Sequence, residues 1–329
     1  MYYTSLSEAV ANLNIVTLAW FAAVLTVLRL SFIKLPGQGV RVLVEAIEVA
    51  LIFGAFAFLV IQPFFAKAFY IPSGSMLPTL VTNDRIVVNR LLYRCEAPRH
   101  GNVVVFNAPV QALEVTSENA KDGENIDYIK RLIGLPGDKI QVVEGSVTVN
   151  GAVYHHDDIR GFFGLSAYDQ SSRDLQHLKI TDNGVLVFDG RRWISYSAAD
   201  VGLRIAQSDS AKVAFSPGYV LRNGIKLNEP YVAEDPDYDL KTAANGDVVL
   251  SDPYDGIQIN GPVAVTGQAQ TLKLENAPAA CIPVGRLFVM GDNRNDSNDS
   301  SRWGTLSENR LVGKAAYIFY PFNRARVIR

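Results

Sequence analysis

Two serines, Ser73 and Ser75, lie in Ile71-Pro-Ser-Gly-Ser-Met-Leu-Pro-Thr-Leu80, a short loop with prolines on both sides. A serine hydroxyl attacks a carbonyl only when a base removes its proton. Histidine is the usual base, and the chain has four: His100, His155, His156 and His177. None sits in a motif, and all four read as surface histidines. Lysine is the other candidate. Its ordinary pKa, near ~10.4, requires burial before it is neutral at physiological pH. The base should therefore be a lysine set among apolar residues. Lys130 meets that condition in Asp127-Tyr-Ile-Lys-Arg-Leu-Ile-Gly-Leu-Pro-Gly-Asp138. In a strand, alternation aims Tyr128, Lys130 and Leu132 at one face. The plainer alternatives are a turn at the serines and a solvent-facing lysine at a strand edge.

A third polar segment, Gly291-Asp-Asn-Arg-Asn-Asp-Ser-Asn-Asp-Ser-Ser-Arg-Trp-Gly304, follows a strand-like run. Asp292, Asp296 and Asp299 could be read as calcium ligands, but the EF-hand spacing and its central glycine are missing and Arg294 interrupts. The segment reads instead as a turn that supports a neighbouring site through hydrogen bonds. No metal or cofactor is expected.

The elements around these residues are of two kinds. Ala9 to Leu28 is an uncharged stretch of 20 residues, long enough to cross ~30 Å of hydrocarbon as a helix. Val49 to Ala66 is a second, bounded by Glu48 and Lys67. These predict two membrane spans, about 9–28 and 47–66. Arg29, Lys34 and Arg41 between them put the connecting loop in the cytoplasm and everything after Ala66 outside. A signal peptide fits the first stretch poorly, since residues 1–8 hold no Lys or Arg; a buried core helix is the rival reading of the second.

From residue 70 onward the pattern is strand-like. Residues 85–89, 102–106, 139–143, 286–290 and 314–320 are short β-branched or aromatic runs. Asn150-Gly151 and Asn223-Gly224 are hairpin signals. Residues 112–127 are polar and read as a loop. Residues 151–280 are richer in Asp, Asn, Ser and Gly, and read as an insertion between two parts of one core. The fold class is mainly β: a catalytic β core from 67–150 and 281–329, an inserted β-rich domain at 151–280, and the helical segment 1–66. A net charge of −2 gives no bulk argument for a nucleic-acid partner. Cys95 and Cys281 lack metal-ligand spacing; a disulfide and two free thiols remain equally open.

The loop at Pro72 to Leu80, the Tyr128 to Asp138 segment and the Gly291 to Asp299 turn, in that order behind two apolar stretches, resemble the bacterial type I signal peptidases, or leader peptidases. Arg99-His-Gly-Asn-Val-Val-Val-Phe106 resembles a further family segment, with His100 and Asn102 as departures. The resemblance implies a membrane-bound serine endopeptidase that removes signal peptides from exported preproteins after small residues (Ala-x-Ala). It implies Ser75 as nucleophile, Lys130 as general base and Ser73 as an oxyanion donor. Ser297 would hydrogen-bond and orient Lys130, and Asp299 would support the site. Phe69, Ile71, Pro72, Met76, Leu80, Tyr128 and Ile129 would contact substrate. Phe64, Phe65, Phe69 and Trp303 would dip toward the bilayer, with an ordinary core aromatic as the alternative for Trp303. The family pattern has Ser-Arg directly after the aspartate; here Arg302 comes one place later, which leaves its pairing with Asp299 open. The implied partners are signal peptides and the lipid bilayer. The implied location is the inner membrane, multi-pass, with the catalytic part in the periplasm. A specialised processing peptidase of the same fold and a non-catalytic peptide-binding scaffold are the rival functions.

Overall fold

The computed structural model describes residues 15–33, 37–56, 66–114, 126–165, 177–189, 191–252, 256–260 and 278–329. It divides into two compact units. The first comprises Met1–Ile71, Asn83–Ala97 and Gly313–Ile328; the second comprises Pro72–Thr82, Pro98–Val312 and Arg329.

The first unit begins with two helices, α1 (Ile15–Phe32) and α2 (Gln38–Phe56). Helix α1 runs on past the expected end at 28, and α2 begins before the expected start at 47. Helix α2 starts nearer the connecting loop and so takes in Arg41, Glu45 and Glu48. Glu48 accepts from Arg29 of α1 at 3.0 Å, one charge of each helix satisfying the other. No helix among the described residues is long and apolar enough to cross a membrane. Residues 1–14 and 57–65, which complete the expected spans, lie outside the described residues. The unit continues with strand β1 (Ala66–Tyr70), antiparallel to β2 (Arg85–Asn89). The far edge of β2 pairs with Leu311–Tyr320, which also takes Arg326–Val327. Arg324 grips the buried Asp84 through two bonds of 2.8 and 2.9 Å.

The second unit is mainly β, as its alternating runs dictate. One antiparallel sheet runs β3 (Val103–Asn107), β4 (Asp127–Gly134), Arg286–Met290 and Leu306–Ser307. A six-stranded sheet has β5 (Ile140–Val143) between Tyr219–Arg222 and Asp239–Thr242. Two three-stranded sheets complete it. Both Asn-Gly hairpins form. Asn150 and Gly151 take φ of 51° and 89°, and Asn223 and Gly224 take 55° and 79°, the left-handed pair that a tight hairpin turn requires.

The six-stranded sheet crosses the boundary expected at residue 150. Strands from 219–222 and 239–242 pair directly with β5, and Val220, Leu240, Val248 and Leu250 share a core with Ile133, Phe288 and Met290. A second core, built on Val147, Val149, Ile159, Leu178, Ile180, Val185, Val187 and Val201, lies under the three-stranded sheets. The second core thus draws on 147–149 as well as on residues after 150, while strands from 219–242 complete the sheet around β5.

Two histidines depart from the surface reading. His156 is 1 % exposed and meets Asp235 at 3.1 Å. His177 is buried and bonded to Glu234. His155 and His100 are exposed, and His100 bonds Asp138 at 2.6 Å. Cys95 and Cys281 are free and exposed.

Burial by itself would lower the His156 pKa, but the charge and hydrogen bond of Asp235, with Asp237 and Glu234 nearby, raise it to about 9. The folded pKa then lies above the unfolded one, so this contribution is complete below about pH 6.5 and disappears as pH rises through about 9. His156→Gln should cost on the order of 2 kcal/mol in urea unfolding at pH 6 and far less at pH 9.5. An equal loss at both pH values would contradict a charged His156.

Candidate active site

The nucleophile loop is held from beneath. Met76 and Leu80 are fully buried, and the Leu80 N–H closes a turn onto the Met76 carbonyl at 2.9 Å. Leu77 N–H closes a tighter turn onto Gly74 at 2.9 Å. These bonds leave Ser73 exposed and Ser75 only 9 % exposed. Neither the Ser73 hydroxyl nor the Ser75 N–H has a hydrogen-bond partner among the described residues.

Strand β4 presents Lys130. Its Cα partner on β3 is Val104, which is fully buried. Lys130 is 5 % exposed and its Nζ lies 5.6 Å from the centre of the Tyr128 ring. The Nζ to Ser75 Oγ distance is 2.7 Å. Burial pushes the Lys130 pKa down to about 8, against the pull of Asp299, Asp296 and Asp292.

Two of those carboxylates are committed to other donors. Asp292 takes a two-pronged bond from Arg131 at 2.7 and 2.6 Å and another from Thr79 of the nucleophile loop at 2.5 Å. Asp299 accepts from Gly291 N–H at 2.7 Å and, as N-cap of the short helix Ser300–Trp303, from Ser301 N–H at 2.9 Å. Asp292 is therefore the anchor of Arg131, which also stacks on Tyr231 at 3.9 Å. Sequence reasoning gave Arg131 no role. Its place directly after Lys130 was the available signal, since the next strand residue points to the opposite face.

The turn after Met290 meets the loop backbone. Asn293 N–H donates to the Ser75 carbonyl at 3.1 Å, and Asn293 Nδ2 donates to the Gly74 carbonyl at 3.3 Å. A Cβ on Gly291 would collide with the Ser75 carbonyl and with Ser297 Oγ, so the turn packs here only with glycine. Ser297 thus lies beside the dyad, but the expected bond to Lys130 is not made: its Oγ is buried without a partner among the described residues.

The expected substrate contacts fall into two groups. Met76 and Leu80 are fully buried and Ile71 is 2 % exposed, so these three belong to the core under the loop. The reason is local: the loop folds its large apolar side chains under itself. Pro72 is exposed, and Tyr128 and Ile129 are half-buried. Phe69, in β1 of the first unit, is half-buried under the Lys67 amine at 4.5 Å. Trp303 is a core aromatic, buried against Phe106 at 6.1 Å. Phe64 and Phe65 lie outside the described residues. A polar cleft of about 770 Å³, lined by Arg286, Arg310, Asn107 and Trp303 among others, does not include Ser73, Ser75 or Lys130.

A serine hydroxyl on a buried lysine, beside two uncommitted donors, is an acyl-transfer geometry. Comparison with known proteins agrees. The family described as signal peptidase, peptidase S26, matches residues 43–196 and 204–320. The chain belongs to that family. As a member it is a hydrolase, a serine endopeptidase. It is 26 % identical over 289 residues to "Probable signal peptidase I-1" of Synechocystis sp., covering 88 % of this chain and 87 % of that one. With "Probable signal peptidase I-2" of the same organism it shares 39 % identity over 133 residues, 40 % of this chain and 58 % of the relative. "Signal peptidase IB" of Staphylococcus aureus is 26 % identical over 264 residues, covering 80 % and 83 %. A crystal structure of a signal peptidase I from Enterococcus faecalis is similar at a TM-score of 0.24 and 15 % identity, over 67 % of this chain and 97 % of that one.

Gly291→Ala should lower stability by about 1–3 kcal/mol through overpacking, and should reduce peptidase activity because the collision falls on the Ser75 carbonyl. A denaturant midpoint and turnover equal to wild type would show that the turn is not seated as described.

Proposed function

We propose that the protein is a membrane-anchored signal peptidase that removes N-terminal signal peptides from exported preproteins, with Ser75 as nucleophile and Lys130 as general base. The observation that carries the reading is the 2.7 Å contact of Ser75 Oγ with an almost fully buried Lys130 Nζ.

In the neutral form the Lys130 amine takes the Ser75 proton as Oγ bonds to the scissile carbonyl carbon. The carbonyl oxygen becomes an oxyanion, held by the Ser75 N–H and the Ser73 hydroxyl; a donor in such a position is worth about 3 kcal/mol. The protonated Lys130 then gives its proton to the leaving amine as the C–N bond breaks. Water, deprotonated by the same lysine, attacks the acyl-enzyme, and Ser75 recovers its proton on release. Ser297 takes the part of a neighbour that can turn its hydroxyl to Lys130 Nζ during these transfers, and Asp299 holds the turn that carries it.

Small residues before the cut fit a site whose apolar side chains are folded under the loop, leaving Pro72, Tyr128 and Ile129 as the surface beside the dyad. Anchoring rests on the uncharged stretches 9–28 and 49–66. It would make the protein multi-pass in the inner membrane, with 67–150 and 281–329 as the periplasmic core, 151–280 inserted in it, and the lipid bilayer as a second partner.

Cleavage of a purified preprotein in detergent tests the reading. Ser75→Ala, Lys130→Ala and Lys130→Arg should each abolish turnover, the last because arginine stays charged. Near-normal cleavage by Lys130→Ala would sink it. The rate should also fall on the acid side of about pH 8, roughly tenfold per unit. The sign follows from the base: protonated Lys130 cannot accept the Ser75 proton. A plateau reaching down to pH 6 would exclude Lys130 as the base.

A further inference from the structure

Asn293 is completely buried, and nothing in the mechanism above uses its side chain. Both of its donors go to the nucleophile loop. The backbone N–H meets the Ser75 carbonyl at 3.1 Å and Nδ2 meets the Gly74 carbonyl at 3.3 Å. Its Oδ1, in contrast, is buried with no partner among the described residues. A side chain present only to fill space would be apolar, because an unpaired buried acceptor is destabilising.

The Gly74 carbonyl and the Ser75 N–H belong to one planar trans peptide unit and point in opposite directions. Fixing one therefore fixes the other. Gly74 has no Cβ to restrict the rotation of this peptide, so its orientation depends on what grips the carbonyl. Leu77 N–H grips it from within the loop at 2.9 Å, and Asn293 grips it from the turn outside. The tether draws the carbonyl toward the buried turn and leaves the Ser75 N–H facing away from it, without an acceptor among the described residues.

We infer that Asn293 is a positioning residue: it sets the plane of the Gly74–Ser75 peptide and so aims the Ser75 N–H at the oxyanion. The inference rests on the Ser75–Lys130 peptidase reading. It adds a residue whose effect should be felt in the transition state rather than in substrate binding, and not through the base.

The test uses the full chain in detergent, with Asn293→Ala and the near-isosteric Asn293→Leu, a preprotein substrate, and a peptide aldehyde that adds to Ser75 to mimic the tetrahedral oxyanion. Both variants should lose about 10- to 100-fold in kcat, as small misplacements of catalytic groups do, with KM within about twofold of wild type. The aldehyde should weaken by a similar factor, and the acid-limb midpoint should stay where wild type has it. A kcat within twofold of wild type, or a loss accompanied by a shifted midpoint, overturns the inference. If neither variant folds, exchange of the Asn293 side-chain amide protons in ¹⁵N-labelled wild type decides: slow exchange that changes on aldehyde binding supports the tether, and free exchange overturns it. Failure of the underlying reading looks different. In that case Ser75→Ala would retain cleavage, or the aldehyde would not bind the wild-type protein at all.

Discussion

The hydrogen bond between Ser75 Oγ and Lys130 Nζ sets the conditions that the rest of the site meets. A lysine can serve a serine only if its charged form is disfavoured, and burial is the means available. That burial is fragile, because Asp292, Asp296 and Asp299 all lie near enough to favour the ammonium. Asp292 is occupied by the guanidinium of Arg131, and Asp299 by two backbone N–H groups. Their remaining pull on Lys130 is smaller than the desolvation it opposes, so its pKa is held down to about 8.

The same partners fix geometry. Arg131 ties β4 to Asp292, and Asp292 in turn holds Thr79, so base strand, turn and nucleophile loop share one buried network. A second set of contacts comes from residues 229–237. Arg294 pairs with Glu229 at 2.6 and 2.8 Å, Ala233 N–H meets the Asp292 carbonyl at 3.1 Å, and Asn295 bonds Glu234 and the Asp235 carbonyl. Glu234 and Asp235 also hold the buried His177 and His156. Buried ion pairs of this kind contribute little net stability, but breaking one leaves a costly unpaired charge. Their effect here is to give the turn one arrangement beneath Ser75.

Much of this was legible in the chain. Lys130 stands out because it sits amid Tyr128, Ile129, Leu132 and Ile133, and the Asn-Gly pairs announce their hairpins through backbone conformation alone. What could not be read depends on contacts between distant segments. His156 and His177 look like surface residues until 234–235 arrives to pair with them. Met76 and Leu80 look like pocket walls because their types are apolar, and only the path of the loop puts them beneath it. Local composition changes at 150, yet strands from 219–222 and 239–242 pair with β5 across that position. Arg29 and Glu48 pair between the two N-terminal helices, a contact that hydropathy along one stretch does not register.

The central claim is that Lys130 is a base because it is buried. Titration of the ¹³Cε and ¹⁵Nζ resonances of Lys130 in the folded, labelled protein measures this directly. The account predicts a single transition near pH 8, about two units below an ordinary lysine. A transition near 10.5 would mean that the amine stays charged at working pH, and it would contradict the account at its root.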